Sequence, residues 1–466
     1  PGGQREGGRV LARLIQKSIL QATGLTCSIG VAPNKLLAKM ASEFNKPQGI
    51  SILAAAGLAL LSSTAAFAGD VRIMWYSDGV EGQVFKDLIA KFQKDNPDIK
   101  VTVDEVAYST IKEQLPVQLA AGNGPDIARV TNLKSLSQYW LDLTPYLKDA
   151  DFWKKNYGDQ LDWMRPDGSN IIPGFMTQIT LTGGFVNKTL FDQAGVALPG
   201  DKATWEDWVA ASEKVAKSQQ VPYAFAIDRS GHRITGPAIS YGANYIGKDG
   251  MPAPLDDGAK KFLNLLVKWN ADGVSDKDVW VSASGTTYKP AADDFINAQV
   301  VMYYAGSWQI PNFMTKIGTN FDWVAIGSPC GPAACTGMPG GAGLVAMKDT
   351  KNPKDVAKVM DFLASSPIAK EFAERTLFLP SNKEVIAGGL DFKTDNKFAK
   401  EALNTFVKAS TTTAPEALKL PGWKWSDTYY GALVSRVGQA MAGEMTADEA
   451  FKRIDSDIAE KVKAAK

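Results

Sequence analysis

From Asp70 onward the hydrophobic positions alternate between two periods. The apolar run Val71 to Tyr76 predicts a buried strand and the polar trio Ser77, Asp78 and Gly79 a turn. Val84, Leu88, Ile89 and Phe92 then recur at helical spacing, until Asn96 and Pro97 end the helix. A second strand is predicted over Ile99 to Val106, a helix over about Thr110 to Ala121, a Gly/Pro turn from Gly122 to Asp126, and a third strand from Ile127 to Val130. Strand, helix, strand, helix, strand implies a parallel α/β sheet with right-handed crossovers. Ligands of such sheets sit outside the carboxyl ends of the strands, so Ser77, Asp78, Thr131 and Asn132 point toward the expected site.

The chain before Asp70 reads differently. Residues 52–68 carry no charge and end in Ala66-Phe67-Ala68, the pattern of a secretory apolar segment with a small-residue cleavage site. The stretch is alanine-rich and interrupted by Ser62, Ser63 and Thr64, which makes it a poor membrane span. A signal peptide would start near an initiator methionine, whereas about fifty residues come first here, so a fusion or a misassigned start is expected. Residues 1–49 hold seven Lys/Arg against Glu6 and Glu43, a net charge of +5, while residues 50–466 hold 44 basic and 48 acidic residues, a net charge of −4. The overall +1 therefore hides two unlike pieces, and the larger offers no general electrostatic case for nucleic acid.

Within the leader, Thr26 to Ile50 reads as a short strand up to Val31, a turn at Pro33-Asn34, and a helix with Leu36, Leu37, Met40 and Ala41 on one face. This text resembles a palm-domain segment of Y-family translesion DNA polymerases. Polymerase chemistry needs clustered carboxylates to hold two metal ions, and only Glu6 and Glu43 are present, so residues 1–51 are expected to be a truncated, non-functional leader. Lys35, Lys39 and Lys46 form a basic helix face, whose expected role is solvation rather than phosphate contact.

The remainder resembles the solute-binding proteins of carbohydrate ABC importers, the group that includes maltose-binding protein. The matching text runs from Trp75 to Gly79, Phe92 to Asp95, Ile99 to Val103, Ala121 to Ile127, Phe185 to Phe191, Met302 to Trp308, Gly340 to Ala346, Leu379 to Ser381, and Met445 to Ala450. The resemblance implies an α/β, two-lobed periplasmic-binding-protein fold of the type II kind, with an interlobe ligand cleft and hinge crossings near Pro173 to Leu181, Gly340 to Leu344 and Leu379 to Ser381. The first lobe is then 70–175 plus 343–380 and the second 176–342 plus 381–466. It further implies an exported, periplasmic monomer without cofactor, metal or nucleic acid, which hands a sugar, glycoside or polyol to the permease subunits of an ABC importer.

A sugar presents apolar C–H faces that stack on aromatic rings and hydroxyls that need paired donors and acceptors. Trp308, in the Gly-Ser-Trp turn after a predicted strand, matches the family's sugar-stacking tryptophan, with core packing as the alternative. Asp78 and Asp126 are candidate hydroxyl acceptors, Gln178 and Thr180 candidate hinge contacts, and Gly340 and Gly341 candidate backbone donors that also suit a bending hinge. Gly79, Trp280, Trp423, Trp425 and Tyr430 complete the set, each tryptophan with burial as an equal reading. In Asp228-Arg-Ser-Gly-His-Arg233 an arginine, Arg229 foremost, could fork onto an anionic group, so a phosphosugar or glycerol-phosphate-type ligand stays open as an alternative. Cys330 and Cys335 flank a turn-forming Gly-Pro-Ala-Ala interior and are expected to form a disulfide in an exported protein; a metal pair is the rival reading, without a second Cys/His pair to complete it. A serine-type triad lacks its motif around the lone His232, which leaves a glycoside-processing carboxylate pair as the enzymatic alternative.

Overall fold

The computed structural model describes residues 12–21, 29–31, 50–52 and 69–465. The chain divides into two units, Pro1–Ala68 and Gly69–Lys466. In the first, a helix covers residues 12–21, and strands β1 (Ile29–Val31) and β2 (Ile50–Ile52) pair in parallel with Ile29 opposite Ile50. The expected basic helix around Leu36 to Ala41, the apolar segment 53–68 and Cys27 lie outside the described residues.

The second unit is built on two sheets. The first holds β3 (Gly69–Tyr76), β4 (Ile99–Val106), β5 (Ile127–Val130), β6 (Gly174–Leu181) and β11 (Pro339–Ala346) in the order β4-β3-β5-β11-β6. β3 runs parallel to β4 and β5, as the strand–helix alternation requires. The helix expected over Thr110 to Ala121 is two helices, Tyr108–Glu113 and Leu115–Ala120, because Pro116 has no N–H to continue the first and fits the opening turn of the second. The other sheet holds β7 (Gly184–Asn187), β8 (Tyr223–Ile227), β9 (Val300–Tyr304) and β10 (Trp323–Gly327) in the order β10-β7-β9-β8. The Asn187 side chain accepts from Leu190 N–H at 3.1 Å, capping the helix Lys188–Ala194 directly after β7.

β6 and β11 are antiparallel partners that pass from one lobe to the other, Thr180 opposite Gly340 and Ile179 opposite Gly341. The third crossing is tied to them where Ile179 N–H donates to the Leu379 carbonyl at 2.9 Å. The chain does not enter the second lobe at residue 381, however. The Ser381 hydroxyl donates to the Met176 carbonyl, Asn382 Nδ2 donates to the Tyr157 hydroxyl at 3.0 Å, and the helix Lys383–Gly388 packs on the first-lobe helix Ala150–Met164. The helix Lys397–Ser410 is the first element after it to pack on the second sheet, against β10. The 3.0 Å hydrogen bond from the buried Asn382, together with that of Ser381, holds the chain against the first lobe at these residues.

The cores are aromatic. Trp75, Trp153, Trp205, Trp280 and Trp323 are fully buried, and Trp205 meets Phe225, Phe262 and Tyr304 edge-on. Trp280 is thus a core residue whose Nε1 donates to the Ile227 carbonyl at 3.0 Å, and not a ligand platform. Cys330 and Cys335 are joined by a disulfide next to the capped start of the helix Trp205–Gln219.

Candidate functional site

A cavity of about 330 Å³ opens between the lobes, within the ~300–1,000 Å³ of ordinary small-molecule sites. The strand ends aim side chains into it. Asp78 follows β3, Tyr108 follows β4, Thr131 and Asn132 follow β5, and Arg229 and Trp308 follow β8 and β9. Gln178, Thr180, Gly340 and Gly341 line it from the hinge pair, and Trp423 and Tyr430 from the C-terminal segment.

Four further expected residues are elsewhere. Asp126 precedes β5, which places it at the amino end of the sheet; its carboxylate accepts from Arg72 N–H at 2.8 Å and from the Thr350 hydroxyl at 2.5 Å. Ser77 turns away from the cavity, donating to Glu105 at 2.7 Å while accepting from Trp75 Nε1 at 3.2 Å. Gly79 is exposed beside Asn312 and outside the wall, as is Trp425, which is buried under Lys424. Arg229 reaches the wall, but its guanidinium is committed to the carbonyls of Thr287 at 2.6 Å and Gly285 at 2.9 Å. It is a loop clamp rather than an anion fork.

The second-lobe wall centres on fully buried Asp228. Its carboxylate accepts from the Tyr303 hydroxyl at 2.6 Å, the Tyr288 hydroxyl at 3.0 Å and Ala291 N–H at 3.0 Å, with Arg233 Nε at 3.3 Å. The Arg233 guanidinium also donates to His232 Nδ1 at 3.0 Å and lies 4.0 Å over the Trp308 ring. The other histidine nitrogen, Nε2, therefore carries the proton and donates to the Pro339 carbonyl at 3.1 Å. Burial, reinforced by the Arg233 charge, drives His232 down to about 3, so it is a neutral structural link between this wall and the hinge.

The first-lobe wall is held by Arg129, fully buried, which donates to Glu81 at 3.0 Å and to the Tyr76 carbonyl and stacks on Tyr76 at 4.2 Å. Asp78 stands at the edge of this group, with Arg129 Nη2 at 3.7 Å. Burial and then the Glu81 charge push its carboxyl up to about 6. Asn132 Oδ1 is buried without a hydrogen-bond partner, an acceptor left over on the wall.

The lobes meet across the cavity mouth. Asp427, in the first turn of the helix Ser426–Met441, accepts from Lys112 Nζ at 3.0 Å and from the Ser135 hydroxyl, both first-lobe groups. Burial is the largest single influence on Lys112 and pulls it down, but the charge and hydrogen bond of Asp427 together with Tyr108 leave the ammonium above its ordinary value. Tyr108 and Tyr288 meet edge-on at 5.1 Å from opposite lobes. Sequence reasoning passed over Lys112, Tyr108, Ser135, Tyr288 and Asp427. Tyr108 was within reach of the strand-end rule, since it stands two residues beyond β4.

Two hinged α/β lobes enclosing a polar, aromatic-lined cavity are the architecture of a ligand-capturing binding protein. Residues 76–370 match the family described as bacterial extracellular solute-binding protein, and the chain belongs to that family. A binding protein of Brucella abortus (strain 2308) is 25% identical over 398 residues, 79% of this chain and 88% of that protein. The arabinooligosaccharide-binding protein of Bacillus subtilis (strain 168) is 27% identical over 261 residues, 52% of this chain and 58% of that protein. Among solved structures, an ABC substrate-binding protein from Listeria monocytogenes in complex with cycloalternan shares the fold with a TM-score of 0.70 at 21% identity, covering 84% of this chain and 99% of that one. Residues 4–43 separately match the impB/mucB/samB family, and DNA polymerase IV of Methanoculleus marisnigri is 54% identical over 43 residues, only 12% of its length. No helix among the described residues is long and apolar enough to cross a membrane.

Proposed function

We propose that the chain captures a small neutral saccharide between its lobes outside the cytoplasm and delivers it to the permease of an ABC importer. The carrying observation is how the charges of the wall are used. Arg229 is committed to carbonyls, Arg233 to Asp228, His232 and Trp308, Lys112 to Asp427, and Lys134 to Asp167 at 3.0 Å and to two carbonyls. An anionic ligand would find these cations already shared with internal partners, the buried Nε atoms of Arg229 and Arg233 alone among them lacking a hydrogen bond, whereas Asp78 and the unpaired Asn132 Oδ1 stand ready to accept hydroxyl protons. Tyr108, Tyr288, Tyr430 and Trp423 supply apolar ring surface around them. Trp308 is 6% exposed under the Arg233 guanidinium, so it shapes the floor more than it stacks on ligand. The family match and the sugar named for the Bacillus subtilis relative support the carbohydrate class.

Residues 1–51 add no polymerase chemistry to this reading, because Glu6 and Glu43 cannot assemble a two-metal site. The test is calorimetric titration of the full chain with neutral mono- and disaccharides, arabino- and malto-oligosaccharides, and their phosphorylated or acidic counterparts. Neutral members should bind without being consumed, and Asn132→Ala should weaken them at least tenfold. Binding confined to anionic members, or turnover of any glycoside, overturns the proposal.

A further inference from the structure

Residues 328–338 join β10 to the hinge strand β11, and the Cys330–Cys335 disulfide closes a loop in their middle. The loop is seated on two helices of the second lobe. Cys330 N–H donates to the Ala203 carbonyl at 3.0 Å and the Cys330 carbonyl accepts from Trp205 N–H at 3.1 Å, at the start of the helix Trp205–Gln219. Ala333 and Ala334 N–H donate to the Ser240 carbonyl at 2.9 and 3.2 Å, at the end of the helix Gly231–Ser240. The last carbonyls of a helix have no partner within it, and the loop supplies partners to this one. Past Cys335, Thr336 Oγ1 accepts from Ala414 N–H at 3.0 Å, Met338 N–H donates to Thr182 Oγ1 at 2.7 Å, and the Pro339 carbonyl accepts from His232 Nε2 at 3.1 Å. One helix thus grips both ends of the approach to β11, the loop through Ser240 and the first strand residue through His232. We propose that the disulfide is a redox-sensitive switch on the hinge: closed, it keeps the loop on Ser240 and fixes where β11 begins, and reduced, it releases that hold with both lobes still folded.

The two cysteines are unequally reached, since Cys335 is exposed and Cys330 buried. A thiolate of a dithiol reductant attacks Cys335 Sγ, the bond between the two cysteine sulfurs breaks, and Cys330 Sγ leaves and takes up a proton. The second thiol of the reductant then displaces Cys335 Sγ, which is protonated in turn. The reductant departs as a disulfide, and two electrons and two protons have passed to the chain. The seat on Ser240 is close: a Cβ added at Gly331 would come within 2.4 Å of the Ser240 carbonyl oxygen. With the disulfide open, the turn that presents Ala333 and Ala334 to that carbonyl rests on the hydrogen bond from Gly331 N–H to the Ala334 carbonyl at 2.9 Å. The global fold is little affected, because the entropy a disulfide removes from the unfolded chain grows with loop length and this one spans a separation of 5 residues.

The test uses the full chain carrying Cys27→Ser, which leaves Cys330 and Cys335 as its cysteines, with and without dithiothreitol. A second chain carries Cys330→Ala and Cys335→Ser as well and needs no reductant. None of the readouts requires a ligand. Dithiothreitol should expose two titratable thiols under native conditions. Amide exchange over residues 328–341 should then quicken about tenfold, and match that of the double variant, while β3 and β4 exchange as before. A disulfide that yields only in denaturant, exchange over 328–341 unchanged by reduction, or a double variant that exchanges like the oxidised chain overturns the switch and leaves an inert clip. Faster exchange throughout both sheets overturns it as well, because the disulfide would then support the whole fold and not the hinge.

Discussion

The Arg233 guanidinium lies 4.0 Å over the Trp308 ring while its Nε faces the buried Asp228 carboxylate at 3.3 Å. One side chain thus covers an aromatic face and balances a charge that solvent cannot reach. Arg233→Met should cost roughly 3–5 kcal/mol, because Asp228 stays buried without its cation even though two tyrosine hydroxyls and Ala291 N–H still serve it. Arg233→Lys should recover only part of the loss, since an ammonium cannot lie flat on the ring. Urea unfolding measures both, and a loss below about 1 kcal/mol for the methionine variant would contradict the assignment.

Asp78 makes stability depend on pH. Its folded-state pKa is raised to about 6 by burial first and the Glu81 carboxylate second, with Arg129 and Arg233 pulling down and Asp228 pushing up. An unfolded aspartate titrates near ~3.9, so the folded chain holds the proton more tightly. The stabilisation is therefore complete below about pH 4 and is lost as pH rises through about 6. Asp78→Asn keeps the neutral shape throughout. It should match the wild type near pH 4 and exceed it by about 1–3 kcal/mol at pH 7, while binding saccharide more weakly. Unfolding curves at the two pH values decide this, and equal stability at pH 7 would mean that Asp78 is hydrated when ionised.

Asp427 holds the cavity mouth through Lys112 and Ser135, and the ion pair is about three-tenths exposed on each side. Solvent limits such a pair to about 1 kcal/mol. Asp427→Asn should therefore leave global unfolding nearly unchanged and speed ligand release about fivefold. Raising salt should speed release from the wild type and have little effect on the variant. Stopped-flow displacement would show this, and an unchanged release rate would place the rate-limiting contact elsewhere, with Tyr108 and Tyr288 the next candidates.

Much of this site was legible because the strand-end rule is geometric. Asp78, Thr131 and Asn132 follow apolar runs whose ends can be read directly, and the structure brings them to one wall. Asp126, chosen only as a possible hydroxyl acceptor, misses the cavity, since Gly-Pro-Asp leads into β5 instead of out of it. Trp280 was ambiguous because no local pattern distinguishes a tryptophan that donates to a buried carbonyl from one that meets a ligand. Asp427 and Ser135 are separated by 292 residues and meet only through lobe closure, a relation no spacing encodes. The switch of lobes after residue 388, and not at 381, depends likewise on Asn382 meeting Tyr157.

The hinge itself rests on one backbone conformation. Gly341 has φ +149 and faces Ile179 across the β6–β11 pair, one residue before the register shifts between Ala342 and Gly343. A Cβ there would come within 2.2 Å of the Gln178 carbonyl oxygen and 2.7 Å of Met176 Cε. The methionine can move, but the carbonyl belongs to the paired strand, so Gly341→Ala must separate β6 from β11 or break their register. That costs about 2–4 kcal/mol by the usual sum of strain and lost strand pairing. Gln178, Thr180 and Gly340 line the cavity from this same stretch, so affinity should fall together with stability. Gly158→Ala is the control, in a helix where an added Cβ meets nothing within 4 Å, and should stabilise by about 0.5–1 kcal/mol with binding intact. Melting and titration of both variants separate a hinge defect from a general one. If Gly341→Ala lowers stability and leaves affinity at the wild-type value, the crossing strands carry the fold but do not shape the binding wall.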